Sequence, residues 1–163
     1  MTRNCEVTGN VTYDECYSSF SNPRNIIERE GPFNTTSSSV FYNERVPSRA
    51  INGFYTMDHN FGFFTNGYGS HWWKINLKRV VTVESVIVIA PPGEPYFQYV
   101  TVRLGNDANF TNNQIVFISE EEPEKPMPFT MKLSPIYSGQ YLSLETNNVT
   151  YLGIGLMQII EVK

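Results

Sequence analysis

The chain has 163 residues, enough for one domain with a continuous hydrophobic core. Its net charge of −4 and pI near 5.2 argue against nucleic acid and against an anionic membrane surface, because both select basic footprints. Only 12 residues are Lys or Arg while aromatics reach 14%, and with abundant Asn, Ser and Thr this is the balance of an all-β extracellular domain.

Residues 1–39 are polar and turn-rich and read as an N-terminal extension. Cys5 and Cys16 lie there with ten residues between them. They could close a small disulfide loop in an oxidising compartment or remain two free thiols in the cytosol. Asn10, Asn34, Asn109 and Asn148 each open an Asn-X-Thr glycosylation sequon, which together with the cysteine pair favours secretion. The first residues lack the apolar core of a signal peptide, and no apolar run approaches the ~20 residues needed to cross a bilayer. The expectation is an extracellular segment of a larger secreted or membrane-anchored protein, without direct membrane insertion.

From residue 40 to residue 163 short β-patterned segments alternate with turn clusters, and no long helical pattern intervenes. In 72–77 Trp73, Ile75 and Leu77 share one face, opposite Trp72, Lys74 and Asn76. Residues 82–90 are apolar on both faces and read as a central strand. Residues 99–105, 113–120, 129–133, 140–146 and 152–162 read as further strands. The links at 91–95, 105–109, 120–128 and 146–148 carry Pro, Gly and Asn, which fix or relax φ. The acidic run in 120–128 reads as a solvated loop. At least seven strands with short polar links predict an antiparallel β-sandwich.

The order of "RAINGF" (49–54), "HWWKINL" (71–77), "VTVESVIVI" (81–89), "VTVRLGN" (100–106), "SGQYLSLE" (138–145) and "YLGIGLMQIIEV" (151–162) resembles the galactose-binding-like jelly-roll superfamily. The nearest patterns are those of F-type lectin (fucolectin) and discoidin (coagulation factor C-type) domains. The resemblance covers roughly residues 40–163, and it implies an antiparallel jelly-roll β-sandwich that binds ligands at one end. It also implies what is missing. Fucose-binding members place arginines after the strand that corresponds to 81–89, where this chain reads "APPGEPYFQYV" without one, and His71 lies immediately before Trp72 rather than several residues earlier. In the family a calcium ion uses an Asp and a late Glu, whose positions hold Asn52 and Gln158 here; Asp58 and Asn60 are the nearest replacements.

The aromatic-rich segment 54–71 and the loop 90–99 are expected to meet at the binding end. His71, Trp72, Tyr68, Asn66, Phe63, Phe64, Tyr96, Phe97 and Gln98 are the candidate ligand-binding residues. Rings there could stack on a sugar or anchor a protein; the alternative is that they plug the end of the sandwich as a satellite core. His71 could donate to a ligand, titrate as a switch, or cap a loop carbonyl. No nucleophile–base pair, HExxH or phosphate-cradling glycine loop is present, so no catalytic residue is assigned. The resulting expectation is a non-catalytic recognition module for a cell-surface or secreted partner, protein or glycan, requiring no cofactor. The alternative is a calcium-assisted carbohydrate-binding lectin domain with a specificity other than fucose.

Overall fold

The computed structural model describes residues 17–18, 22–55, 61–67, 69–146 and 151–163. In chain order its elements are β1 (Tyr17–Ser18), α1 (Ile26–Glu30), β2 (Asn34–Ser37), a 3-10 turn at Pro47–Ile51, and β3 (Phe54–Tyr55). There follow β4 (Phe63–Phe64), β5 (His71–Ile89), β6 (Val100–Gly105), a second 3-10 turn at Phe110–Asn112, and β7 (Gln114–Ser119). The chain closes with β8 (Phe129–Thr146), β9 (Gly153–Ile154) and β10 (Leu156–Glu161).

Two pairs of expected strands are each one long strand. Residues 72–77 and 82–90 fuse into β5, and 129–133 and 140–146 fuse into β8. The two pair antiparallel along their length, with register shifts between Asn76 and Val81 and between Val83 and Ser85. At the first shift Lys78 takes φ +64°, Asn76 Oδ1 accepts from its N–H at 2.8 Å, and residues 78–80 turn to solvent. The first half of β5 bonds β2 and the end of β8; the second half bonds β10 and the start of β8. The sheet order is β10-β5-β8-β6-β7 with β2 also on β5. Both halves turn their apolar faces to one core, which holds Trp73, Ile75 and Leu77 together with Val83, Val86, Met131 and Leu144. The period of two seen in residues 72–77 does this directly, because alternate side chains point to opposite faces.

Trp73 is fully buried and its indole N–H donates to the Pro47 carbonyl at 2.9 Å, so the ring is buried without an orphaned donor. Burial of such a side chain contributes ~2–3 kcal/mol.

The sandwich takes in residues from 22 onward rather than beginning at 40. Ile26 is fully buried in the core, and β2 is hydrogen-bonded into the sheet. Asn25 explains how the short helix is held: its side-chain oxygen caps α1 at the Ile27 N–H and also accepts from Ile159 N–H of β10. Cys5, Cys16, Asn10 and Asn148 lie outside the described residues. Asn34 and Asn109 are both exposed, on β2 and on the turn before β7.

Candidate functional site

The loops expected to meet do meet. β4 pairs with β9, setting Phe64 against Gly153, and the Gly153 N–H donates to the Tyr96 carbonyl at 2.9 Å. The Tyr96 ring packs edge-on against Phe64, centroids 5.0 Å apart. Gly153 is required by this convergence: a Cβ there would stand 2.8 Å from Tyr96 Cβ, 2.9 Å from Pro91 Cγ and 3.0 Å from Phe64 Cδ1.

The junction divides the candidate rings by burial. Phe63 and Phe97 are fully buried and Phe64 nearly so, so these three form the floor and present no surface to a ligand. Their apolar side chains gain most by leaving water, and the phenylalanine surface across loops 54–71 and 90–99 reduces to Phe54 and Phe61, whose rings pack edge-on at 5.6 Å. Trp72 also stands apart from the junction. It lies on the outer face of the sheet, against Phe110 at 5.4 Å and beneath the Lys74 ammonium at 5.9 Å. Asn66 is exposed, its N–H bonded to Ser39 Oγ at 2.9 Å. Gln98 is half-buried, and its carbonyl accepts from the Thr146 hydroxyl. Tyr68 lies outside the described residues.

His71 is buried. One ring nitrogen bonds the Gly67 backbone while Nε2 has no hydrogen-bond partner. Burial lowers its pKa from the ordinary value near 6.5, and the bond to Gly67 opposes that shift. Of the roles expected for His71, the structure shows the contact to a loop backbone.

The surface above this floor is supplied by two segments that sequence reasoning missed, 39–46 and 151–153. The Phe41 N–H bonds the Phe64 carbonyl at 2.8 Å, which fixes the first segment to β4. Phe41 then packs on Tyr42 (4.3 Å) and Tyr151 (5.6 Å), and Tyr151 continues to Tyr96 (6.4 Å). These four rings make a continuous ribbon in which Tyr42 is 70% exposed and the others are half-buried. The Arg45 guanidinium lies over Phe41 at 5.3 Å and over Phe64 at 4.9 Å. The Lys125 ammonium lies 5.6 Å from the Tyr96 ring centre. Such cation–ring contacts orient both partners. Tyr42 holds φ +51°, a left-handed backbone that costs about 1–3 kcal/mol in a residue other than glycine. Its only sequence signal was one tyrosine in a polar stretch, "FYNER".

The calcium donors do not assemble among the described residues. Asn52 is exposed and its side-chain oxygen accepts from the Phe54 N–H at 2.9 Å, while Gln158 is buried within β10. Among the described residues no three His, Cys, Asp or Glu side chains group where they could hold a metal. Asp58 and Asn60 lie outside them. Amide oxygens alone bind this hard cation weakly.

No protein-family model matches the chain, and no curated protein matches its sequence. Solved structures do match. The fucolectin, an F-type lectin from striped bass (Morone saxatilis) serum, superposes with a TM-score of 0.72 at 18% identity, over 86% of this chain and 49% of that one. The chain therefore spans about half the length of that lectin. The lectin domain of lectinolysin, solved with Lewis b antigen, gives a TM-score of 0.68 at 18% identity over 86% of this chain and 99% of that one. A fucose-binding module of Streptococcus pneumoniae gives 0.67 at 18% over 85% and 95%. At this identity the likeness bears on architecture alone: the chain has an antiparallel jelly-roll β-sandwich similar to those of the F-type lectin and fucose-binding modules.

Proposed function

We propose that this protein is a non-catalytic extracellular recognition module that binds a glycan across the ribbon Tyr42–Phe41–Tyr151–Tyr96. The observation that carries the reading is the ribbon itself: four contacting rings at one end of the sandwich, the outermost 70% exposed on a left-handed backbone. Sugar rings present C–H faces that stack on aromatic surfaces, and tyrosine adds a hydroxyl for hydrogen bonding. The proteins of similar fold support the ligand class, since their ligands include fucose and Lewis b. Binding needs no calcium in this reading, and the missing arginines direct the search beyond fucose.

The test is a printed panel of fucosylated, galactose-terminated, N-acetylgalactosamine-terminated and chitosan oligosaccharides, probed with and without chelator. A Tyr42→Ala variant should lose about tenfold or more in affinity for whatever binds, with its melting temperature unchanged. Binding that survives both Tyr42→Ala and Tyr96→Ala removes the ribbon as the site. A silent panel with a protein partner co-purifying from extracellular fluid favours adhesion, for which exposed Phe54 and Phe61 are the apolar contact.

A further inference from the structure

We infer that the acidic loop 120–128 is a positioning element of the binding end, in which Glu122 and Lys125 together set the backbone of residues 93–97 and hence the pose of Tyr96. What Tyr96 does for a ligand rests on the glycan reading; how Tyr96 is held does not.

The Glu122 carboxylate accepts two successive backbone N–H groups, from Tyr96 at 3.2 Å through Oε1 and from Phe97 at 2.6 Å through Oε2. Lys125 meets Oε1 at 3.0 Å. The same ammonium donates to the carbonyls of Gly93 (3.0 Å) and Glu94 (2.7 Å). A lysine ammonium has three protons to donate, and here each has an oxygen partner. One ion pair, with side chains only 15–16% exposed, thus satisfies both donors and acceptors of a loop that has no ladder of its own. From the other side the Tyr96 carbonyl is taken by Gly153. With its backbone bonded on both sides the ring has a defined place between Phe64, Tyr151 and the Lys125 ammonium. A side chain held in its bound pose loses less entropy on binding, so affinity depends on the clamp as well as on the ring.

Glu122→Gln tests this with little change of volume. A carboxylate accepts through both oxygens, whereas an amide accepts through one and presents a donor at the other, so one of the two N–H groups must lose its partner. Amide hydrogen exchange should quicken about tenfold at Tyr96 or Phe97, with the melting temperature little altered. Affinity for the best-bound glycan of the panel should fall about three- to tenfold. Adding Glu122→Gln to Tyr96→Ala should cost nothing further, because the clamp acts through that ring. Unchanged exchange at both amides overturns the inference, as does a loss that adds in full to that of Tyr96→Ala. If the wild-type protein binds no glycan, the proposed function fails and the exchange measurement still decides the clamp. Should Glu122→Gln not fold, Lys125→Met removes the bonds to Gly93 and Glu94 and is read by the same two measurements.

Discussion

At the corner where α1, the exposed turn of β5 and the end of β10 meet, Arg29 and Arg79 each contact both Glu30 and Glu161. At the loop end, one pair, Glu122 and Lys125, directs its remaining hydrogen bonds at backbone. The corner arginines are 40–42% exposed, so their pairing is screened by water and salt and ties α1 to the C-terminal strand at modest gain. The loop pair is less exposed and shapes a segment that has no ladder of its own. Ion pairs of the same residue types therefore do different jobs: one cross-links the frame, and the other fixes the conformation of a recognition surface.

The strongest disruption of the loop end is steric. Gly153→Val must displace Tyr96, Pro91 and Phe64, which stand within about 3 Å of the added Cβ. It should cost roughly 1–3 kcal/mol in urea unfolding and abolish binding at the ribbon. If stability and binding both match wild type, the convergence of β4, β9 and loop 91–98 is not the foundation of the site.

The corner should respond less, and with pH. Hydrogen bonds from Arg79, then from Arg29, hold the Glu30 carboxyl down from 4.5 to about 2, and Arg79 likewise leads in lowering Glu161. A carboxylate depressed in the folded state contributes stability that is full above its unfolded value and is lost as pH falls from about 4.5 toward about 2. Arg79→Ala should cost about 1 kcal/mol at neutral pH, flatten the stability profile across that acid window and leave glycan binding unchanged. A variant that weakens binding as much as stability would dissolve the distinction between frame and recognition surface.

The smallest expected effect belongs to His71. Its pKa is lowered by burial, so the unfolded chain takes up a proton more readily than the folded one. Stability from this group is full above pH about 6.5 and declines as pH falls below it. His71→Gln should remove the slope just below pH 6.5 in a melting-temperature series while leaving the slope below pH 4.5, which belongs to the corner. Persistence of the upper slope would assign it to another group.

Much of the sandwich was legible because its signals are local. Alternation at 72–77 assigned Trp73, Ile75 and Leu77 to the core, and the structure buries all three. The turn at 91–95 was announced by its prolines and glycine. The fusion of strands into β5 and β8 was not legible, because Lys78, Arg79 and Val80 interrupt the alternation of buried and exposed positions, whereas a register shift and one left-handed residue let the pairing continue. Residues 26–37 were assigned to an extension because a five-residue helix and a four-residue strand have too little period to show in sequence.

The candidate site divides along the same line. Sequence by itself determined that two aromatic loops face one end of a jelly roll, and that the arginines expected beside fucose are absent. Only tertiary structure decided which rings are floor and which are surface. Phe63, Phe64 and Phe97 pass beneath β9 and the neighbouring loop, while Phe41, Tyr42 and Tyr151 arrive from segments far away in the chain. Tertiary structure also turned an acidic run that reads as solvated into the clamp beneath Tyr96. A residue's type states what it can bond, but burial and partner depend on segments brought together from 25 to more than 100 positions apart, and no local pattern carries that information.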